Sequence, residues 1–126
     1  MKIWLLVFVG GGIGSLVRYL LSRWITSNIV SAFPYGTFIV NITGCLLIGF
    51  LVFYFTEGKF GPDSLSWRLF LVTGLCGGFT TFSSFSLENL QLIENGRILV
   101  FLAYTLASLI LGFLATYGGI AIARNI

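Results

Sequence analysis

The centre of the chain holds an uncharged stretch, GLCGGFTTFSSFS, that occupies residues 74–86. It lies within a longer uncharged run from Leu69 to Leu87, bounded by Arg68 and Glu88. Its paired glycines disfavour helix, because each costs about 1 kcal/mol relative to alanine. Irregular backbone at membrane depth is tolerated only where it is buried in protein or faces a polar cavity. We predict a membrane helix broken near its middle, the alternative being an intact helix whose glycines serve close packing.

Three more uncharged runs accompany this one, at residues 3–17, 24–56 and 98–123. Since a spanning helix needs about 20 residues, the second run must include a loop, which Asn28 to Pro34 supplies. Apolar residues make up 57% of the chain and charged residues 9%, against roughly a quarter charged in soluble domains. The pattern predicts an all-α integral membrane protein in a lipid bilayer: one domain, residues 1–126, with spans at about 3–24, 35–56, 67–94 and 97–124.

The composition excludes several kinds of chemistry. The chain has no histidine, which removes histidine proton relays, histidine-ligated metals and histidine-activated nucleophiles. Cys45 and Cys76 lie in apolar runs and are interpreted as buried hydrophobic residues. A net charge of +3 is too small and scattered for a nucleic-acid partner. Without paired carboxylates, a metal-ligand cluster or an activated nucleophile, we do not expect an enzyme.

The positive charges are nearly balanced across the membrane. With four spans, one side carries Lys2, Lys59, Arg68 and Arg124, and the other carries Arg18, Arg23 and Arg97. A difference of one barely biases orientation by the positive-inside rule. The sequence therefore favours dual topology and an antiparallel homodimer, with a weak bias set by Lys2 and the first helix as the alternative.

Polar residues inside the spans are candidates for a solute path or for packing. Asn41 lies near the middle of the second span and shares a helical face with Thr37. Arg18 lies near the polar end of the first span, where it either snorkels or faces a water-filled vestibule. In the third span Phe82 and Phe85 share one face, and Thr81, Ser84 and Glu88 share another. Tyr104, Ser108 and Gly112 form a polar stripe on the fourth span.

These residues resemble the Fluc (CrcB) family of fluoride channels over essentially the whole chain. The matching motifs are GGGIGSLVRY at 10–19, GTFIVN at 36–41 and GGFTTFSSFS at 77–86. The last run, in order and with four spans, is specific. Ser84 departs from the threonine usual in the family, but it keeps the hydroxyl group.

The resemblance implies a dual-topology homodimer with two antiparallel pores that carry fluoride passively out of the cytoplasm across the bacterial inner membrane. It places Arg18 in the vestibule. It implies a structural Na+ at the dimer interface, held by backbone oxygens of Gly77 and Thr80 at the break in the third helix. The pore residues it implies are Asn41, Thr81, Phe82, Ser83, Ser84, Phe85, Tyr104 and Ser108.

The chemistry of fluoride agrees with these expectations. Amide and hydroxyl groups can donate hydrogen bonds that replace its water, and aromatic ring edges are electropositive. The main alternative is a small multidrug-type proton-coupled transporter, which needs an ionisable group at depth. Glu88 is its one candidate carboxylate. A purely structural membrane subunit is a further alternative, in which the polar residues serve packing.

Overall fold

The computed structural model describes residues 2–58 and 61–126, and over those ranges the chain is helical without strands. Lys59, which contributes to the charge balance, lies outside the described residues. In chain order the elements are α1 (Ile3–Asn28), α2 (Tyr35–Thr56), a 3₁₀ turn (Gly61–Asp63), α3 (Ser64–Arg68), a π-helical segment (Leu69–Cys76), α4 (Gly77–Phe79), α5 (Phe82–Glu94) and α6 (Ile98–Arg124).

Four helical segments are long and apolar enough to cross a membrane: α1, α2, the joined segment Gly61–Glu94 and α6. This confirms the predicted all-helical chain with four membrane-capable spans. The first helix continues past the predicted end at residue 24, to Asn28, where Ile29 becomes extended. The predicted end was set by the charge of Arg23, which indicates where the span leaves the apolar part of the membrane. A helix can continue beyond that point, and it ends only where the backbone becomes non-helical. Arg23 stays helical and its Nη1 donates to the Tyr19 hydroxyl at 2.8 Å.

The third span is a bent, joined segment whose non-helical residues follow the glycine pair. Gly77 to Phe79 are helical, with Gly77 at φ −62° and ψ −38°. Thr80 (φ −83°, ψ 154°) and Thr81 (φ −148°, ψ 115°) are extended, and α5 begins at Phe82. The prediction that set the irregular backbone at Gly77 to Thr80 was therefore wrong in register, because only Thr80 of those four residues is non-helical.

Gly78 of the glycine pair packs closely against α1. A Cβ atom on Gly14 would collide with the Leu75 carbonyl oxygen, and one on Gly78 with the Gly11 carbonyl oxygen. Small residues at such positions allow two helices to approach backbone to backbone. The helix–helix contact thus offsets the low helix propensity of glycine at this place.

α2 and α6 form the other close pair. A Cβ atom on Gly49 would meet the Thr116 carbonyl oxygen, and one on Gly119 would meet the Leu46 carbonyl oxygen. The extended pair Thr80–Thr81 lies beside these helices, because a Cβ on Gly44 of α2 would collide with the Thr80 methyl group. This arrangement brings the polar residues of α2, α5 and α6 together.

Candidate functional site

Asn41 bonds both backbone polar groups of the extended residue Thr81. Its Oδ1 accepts from the Thr81 N–H at 2.8 Å, and its Nδ2 donates to the Thr81 carbonyl oxygen at 3.0 Å. In a continuous helix that N–H would donate to the carbonyl of Gly77. The Asn41 amide therefore bonds both backbone polar groups of a residue that has left the helix. One Nδ2 hydrogen remains for another acceptor.

The Thr81 hydroxyl caps the start of α5 and contacts two serine hydroxyls. Its Oγ1 accepts from the Ser84 N–H at 3.2 Å, as expected of a threonine at a helix N-terminus. It lies 3.2 Å from the Ser83 Oγ and donates to the Ser84 Oγ at 3.2 Å. Three of the five hydroxyls predicted for the pore thus form one cluster beside Asn41.

A cavity of about 340 Å³, here called the inner cavity, lies between α2, α5 and α6. Its lining residues are Asn41, Ile42, Gly44, Cys45, Ile48, Thr80, Thr81, Phe82, Phe85, Ser108 and Leu109. None of these lining residues is charged. Their polar groups are an amide, hydroxyls and a thiol, so the cavity offers hydrogen-bond donors without a full positive charge.

The two phenylalanines of the inner cavity differ in their surroundings. Their ring centroids are 5.7 Å apart and the rings are inclined by 57°. Phe82 is 82% exposed. Phe85 packs edge-on against Tyr104, with ring centroids 4.9 Å apart and 73° between the planes. Tyr104 is fully buried and is absent from the cavity lining, so it contacts Phe85 from behind.

Glu88 joins three helices through its carboxylate. The Thr37 hydroxyl of α2 donates to Oε2 at 3.0 Å, and the Tyr104 hydroxyl of α6 donates to Oε1 at 3.2 Å. Sequence reasoning considered Glu88 as a boundary charge, as a member of the helical face with Thr81 and Ser84, and as a proton-exchange candidate. The signal that could have identified this cluster is the placement of Thr37 on the Asn41 face, together with a carboxylate at the edge of an apolar run.

Arg18 contacts both the third span and a second cavity. Its Nε donates to the Gly78 carbonyl oxygen at 3.1 Å, which the Ser15 hydroxyl also approaches at 3.4 Å. The second cavity, here called the arginine cavity, has a volume of about 440 Å³. Its lining residues are Arg18, Tyr19, Ser22, Arg23, Thr26, Ser27, Thr37, Val40, Thr81 and Ser84. Thr81 lines both cavities, so this residue lies between them.

The backbone oxygens of Gly77 and Thr80 are of a type that can ligate a small hard cation. The helical donor to the Gly77 carbonyl is bonded to Asn41, and that to the Thr80 carbonyl, the Ser84 N–H, is bonded to the Thr81 hydroxyl. Both carbonyls therefore retain acceptor capacity. Within residues 2–58 and 61–126 no group of three His, Cys, Asp or Glu side chains could hold a metal ion. Oxygen ligands of this neutral kind suit hard cations.

A family model described as "CrcB-like protein, Camphor Resistance (CrcB)" matches residues 5–120 of this sequence. The chain belongs to the CrcB family. A relative from Flavobacterium psychrophilum is 46% identical over 126 residues, the full length of both chains. One from Rhizobium meliloti is 48% identical over 120 residues, covering 95% of this chain and 94% of its own. One from Phocaeicola vulgatus is 49% identical over 120 residues, covering 95% and 97%.

These three CrcB-family relatives carry the name "Fluoride-specific ion channel FluC". Together with the four apolar helices, the match identifies a multi-pass bacterial membrane protein. The resemblance drawn from the three motifs is thereby confirmed at the level of the family.

Most residues that the CrcB resemblance marks for the pore lie together. Asn41, Thr81, Phe82, Phe85 and Ser108 line the inner cavity, and Ser84 lines the arginine cavity. Ser83 touches the hydroxyl cluster. Tyr104 is set behind Phe85, and Arg18 lines the arginine cavity. Their assignment to fluoride, and that of Gly77 and Thr80 to Na+, remain predictions.

Proposed function

We propose that this chain is a fluoride channel whose pore includes the inner cavity. The observation that carries the proposal is the lining itself: the Asn41 amide, the Thr81 and Ser108 hydroxyls and two phenylalanine rings around an uncharged space. Membership of a family whose relatives are named fluoride-specific channels supports the choice of ion. Serine at position 84 keeps the hydroxyl that the usual threonine would supply.

Neutral donors suit conduction of a small, strongly hydrated anion. The ion must lose water on entry, and each amide or hydroxyl donor compensates part of that loss. The positive edges of Phe82 and Phe85 add attraction without binding the ion as tightly as a buried cation would. Conduction requires binding strong enough for entry and weak enough for release, which an uncharged lining supplies.

The arginine cavity is proposed as the vestibule of this pore. Arg18 and Arg23 give it positive charge, and four hydroxyl residues of α1 and α2, Ser22, Thr26, Ser27 and Thr37, make it wettable. A cavity lined by one sign of charge concentrates the opposite ion. Fluoride collected there would then reach the hydroxyl of Thr81, which lines both cavities.

We further propose an antiparallel homodimer with two pores and dual topology. One chain leaves Phe82 82% exposed beside the pore hydroxyls, and a Cβ on Gly77 would meet nothing within 4 Å. A second copy would cover this surface and supply the missing pore wall. The near balance of positive charge lets chains insert in both orientations, which an antiparallel pair requires.

In such a dimer the extended pair Thr80–Thr81 would be the interruption of the third membrane helix. Gly77 and Thr80 of both copies would hold Na+ through their backbone oxygens. The bound ion would link the two chains and supply a diffuse positive potential away from the pores. Flux through the pores is passive, so fluoride leaves the cytoplasm whenever its internal concentration exceeds the external one.

Fluoride efflux from liposomes tests the proposed function. Vesicles that contain the purified protein are loaded with potassium fluoride or potassium chloride and diluted into the salt of an impermeant anion. A potassium ionophore lets K+ leave with the released anion and so balances the charge, and release is followed with ion-selective electrodes. We expect rapid fluoride release, little chloride release and no dependence on a proton gradient. Vesicles without protein are the control. Release that stops when a protonophore removes the proton gradient would instead favour a proton-coupled exchanger, for which Glu88 is the candidate carboxylate. No fluoride release at all would overturn both functions.

A further inference from the structure

The carbonyl groups of Gly77 and Thr80 do not receive the hydrogen bonds that a continuous helix would give them, because side chains accept those bonds instead. In a continuous helix the Thr81 N–H would donate to Gly77 and the Ser84 N–H to Thr80. Instead the Thr81 N–H donates to Asn41 Oδ1 at 2.8 Å, and the Ser84 N–H donates to the Thr81 Oγ1 at 3.2 Å. The two redirected donors belong to the two carbonyls that the proposed Na+ site requires.

We infer that Asn41 and Thr81 are positioning residues for the cation site, because their side chains hold the Gly77 and Thr80 carbonyls free of helical hydrogen bonds. This inference rests on the proposed function, of which that site is a part. It gives Asn41 a second role besides lining the inner cavity, and it gives the Thr81 hydroxyl a role besides contact with fluoride.

The bonding of Asn41 is suited to fixing a peptide in place. Its amide bonds the N–H and the carbonyl of the same residue, as a neighbouring strand residue would, and so restrains the two peptide units on either side of the Thr81 Cα atom. Without Asn41 the Thr81 N–H would lack a partner unless it returned to the Gly77 carbonyl. A carbonyl that already accepts an N–H offers less to a cation.

The Thr81 hydroxyl acts in the same way one turn further along. It caps α5 by accepting the Ser84 N–H, and this bond replaces the one that the Thr80 carbonyl would otherwise receive. A single residue therefore starts α5 and separates it from α4. Thr80 is anchored on the α4 side, because its N–H and hydroxyl both donate to the Cys76 carbonyl oxygen at 3.0 Å.

Cation-linked thermal stability tests the inference independently of flux. The full-length protein in detergent is melted over a series of Na+ concentrations, with N-methyl-D-glucamine replacing Na+ at constant ionic strength. A cation that binds the folded state alone raises the melting temperature as its concentration increases. We expect Asn41→Leu and Thr81→Val each to raise the Na+ concentration for half-maximal stabilisation by about tenfold, which is at the upper end of the effect of one hydrogen bond between neutral groups.

Conservative and matched variants distinguish positioning from general damage. Thr81→Ser keeps the capping hydroxyl and should keep the wild-type Na+ midpoint. Thr43→Val removes a hydroxyl from the same helix as Asn41, one that bonds only its own helix at Ile39, and should also leave the midpoint unchanged. If Asn41→Leu does not fold, the Thr81 pair of variants decides the question.

An unchanged Na+ midpoint in folded Asn41→Leu or in Thr81→Val would overturn the inference, as would a wild-type protein that Na+ does not stabilise. The proposed channel function is tested by a different measurement, fluoride flux. Phe82→Ile should lose fluoride flux while it retains the wild-type Na+ midpoint. A wild-type protein that is stabilised by Na+ but releases no fluoride would refute the channel and leave the positioning role standing.

Discussion

Phe82 and Phe85 present the same ring chemistry to the inner cavity from different surroundings. Phe82 is 82% exposed within one chain, whereas Phe85 packs against Tyr104. We expect Phe82→Ile to reduce fluoride efflux from liposomes sharply, because an aliphatic side chain has no electropositive edge, while the melting temperature changes little. Phe85→Ile should reduce efflux and also lower the melting temperature more than Phe82→Ile, because both variants lose the Phe82–Phe85 pair but only Phe85→Ile loses the edge-on contact with buried Tyr104. Such an aromatic pair is worth about 0.5–1.5 kcal/mol.

Phe113→Ile on α6 is the matched control for these two variants. Phe113 is 75% exposed and lines neither the inner cavity nor the arginine cavity. Its replacement should leave efflux at the wild-type rate. Wild-type efflux in both Phe82→Ile and Phe85→Ile would reduce these rings to packing residues.

Tyr104 contributes to stability through its hydroxyl as well as its ring. Its hydroxyl donates to Glu88, and removal leaves an oxygen of this half-buried carboxylate with one partner fewer. We expect Tyr104→Phe to destabilise the fold by about 0.6–1.5 kcal/mol, the range for side-chain hydrogen bonds within membrane proteins and to charged groups. Unfolding in mixed detergent micelles measures this, with Tyr117→Phe as the control, because Tyr117 is 66% exposed. Equal stability of both variants would contradict the prediction.

At the scale of elements, the contact between α1 and the π-helical segment depends on glycine. A Cβ on Gly14 would collide with the Leu75 carbonyl, whereas a Cβ on Gly12 would meet nothing within 4 Å. We expect Gly14→Ala to cost about 1–3 kcal/mol, as overpacking does, and Gly12→Ala to be neutral or slightly stabilising because alanine favours helix. Melting of the purified variants in detergent distinguishes them. A Gly14→Ala protein as stable as Gly12→Ala would show that the two helices separate without cost.

The sequence predicted the membrane spans, which depend on hydrophobicity. It did not predict the position of the irregular backbone, which depends on tertiary contacts. Four apolar runs separated by charges correspond to the four spans, because lipid exposure requires such runs. The register of the irregular backbone was mispredicted, since helix propensity points to Gly77 and Gly78, whereas both residues are helical and Gly78 packs against the α1 backbone. The extended geometry falls at Thr80 and Thr81, where Asn41 supplies the missing bonds.

For the site, the sequence predicted the motif residues but not the hydrogen bonds between distant parts of the chain. The side chains of Asn41, Phe82 and Phe85 stand out as motif residues, and they line one cavity. The bond from Thr37 to Glu88 joins residues 51 positions apart, so no local spacing reveals it. The Arg18 bond to the Gly78 carbonyl likewise depends on how closely α1 approaches the third span.

At the scale of the whole molecule, one chain does not fully enclose the inner cavity. The inner cavity is bounded by α2, α5 and α6, and the largely exposed Phe82 forms one edge of it. A second antiparallel copy would close that edge and repeat the cavity with opposite polarity. The whole-molecule property that permits such a pair is the weak charge bias, since four positive side chains face three.

Changing that bias should change orientation and activity together. A tag at the C-terminus of the wild type should be labelled from both sides of the membrane in intact cells and inverted vesicles. Arg97→Ala leaves two positive side chains against four, so we expect labelling to shift toward one side and fluoride efflux to fall as antiparallel partners become scarce. Co-expression with an oppositely biased variant, Arg124→Ala with Lys2→Ala, should restore efflux. One-sided labelling of the wild type with full activity would refute dual topology.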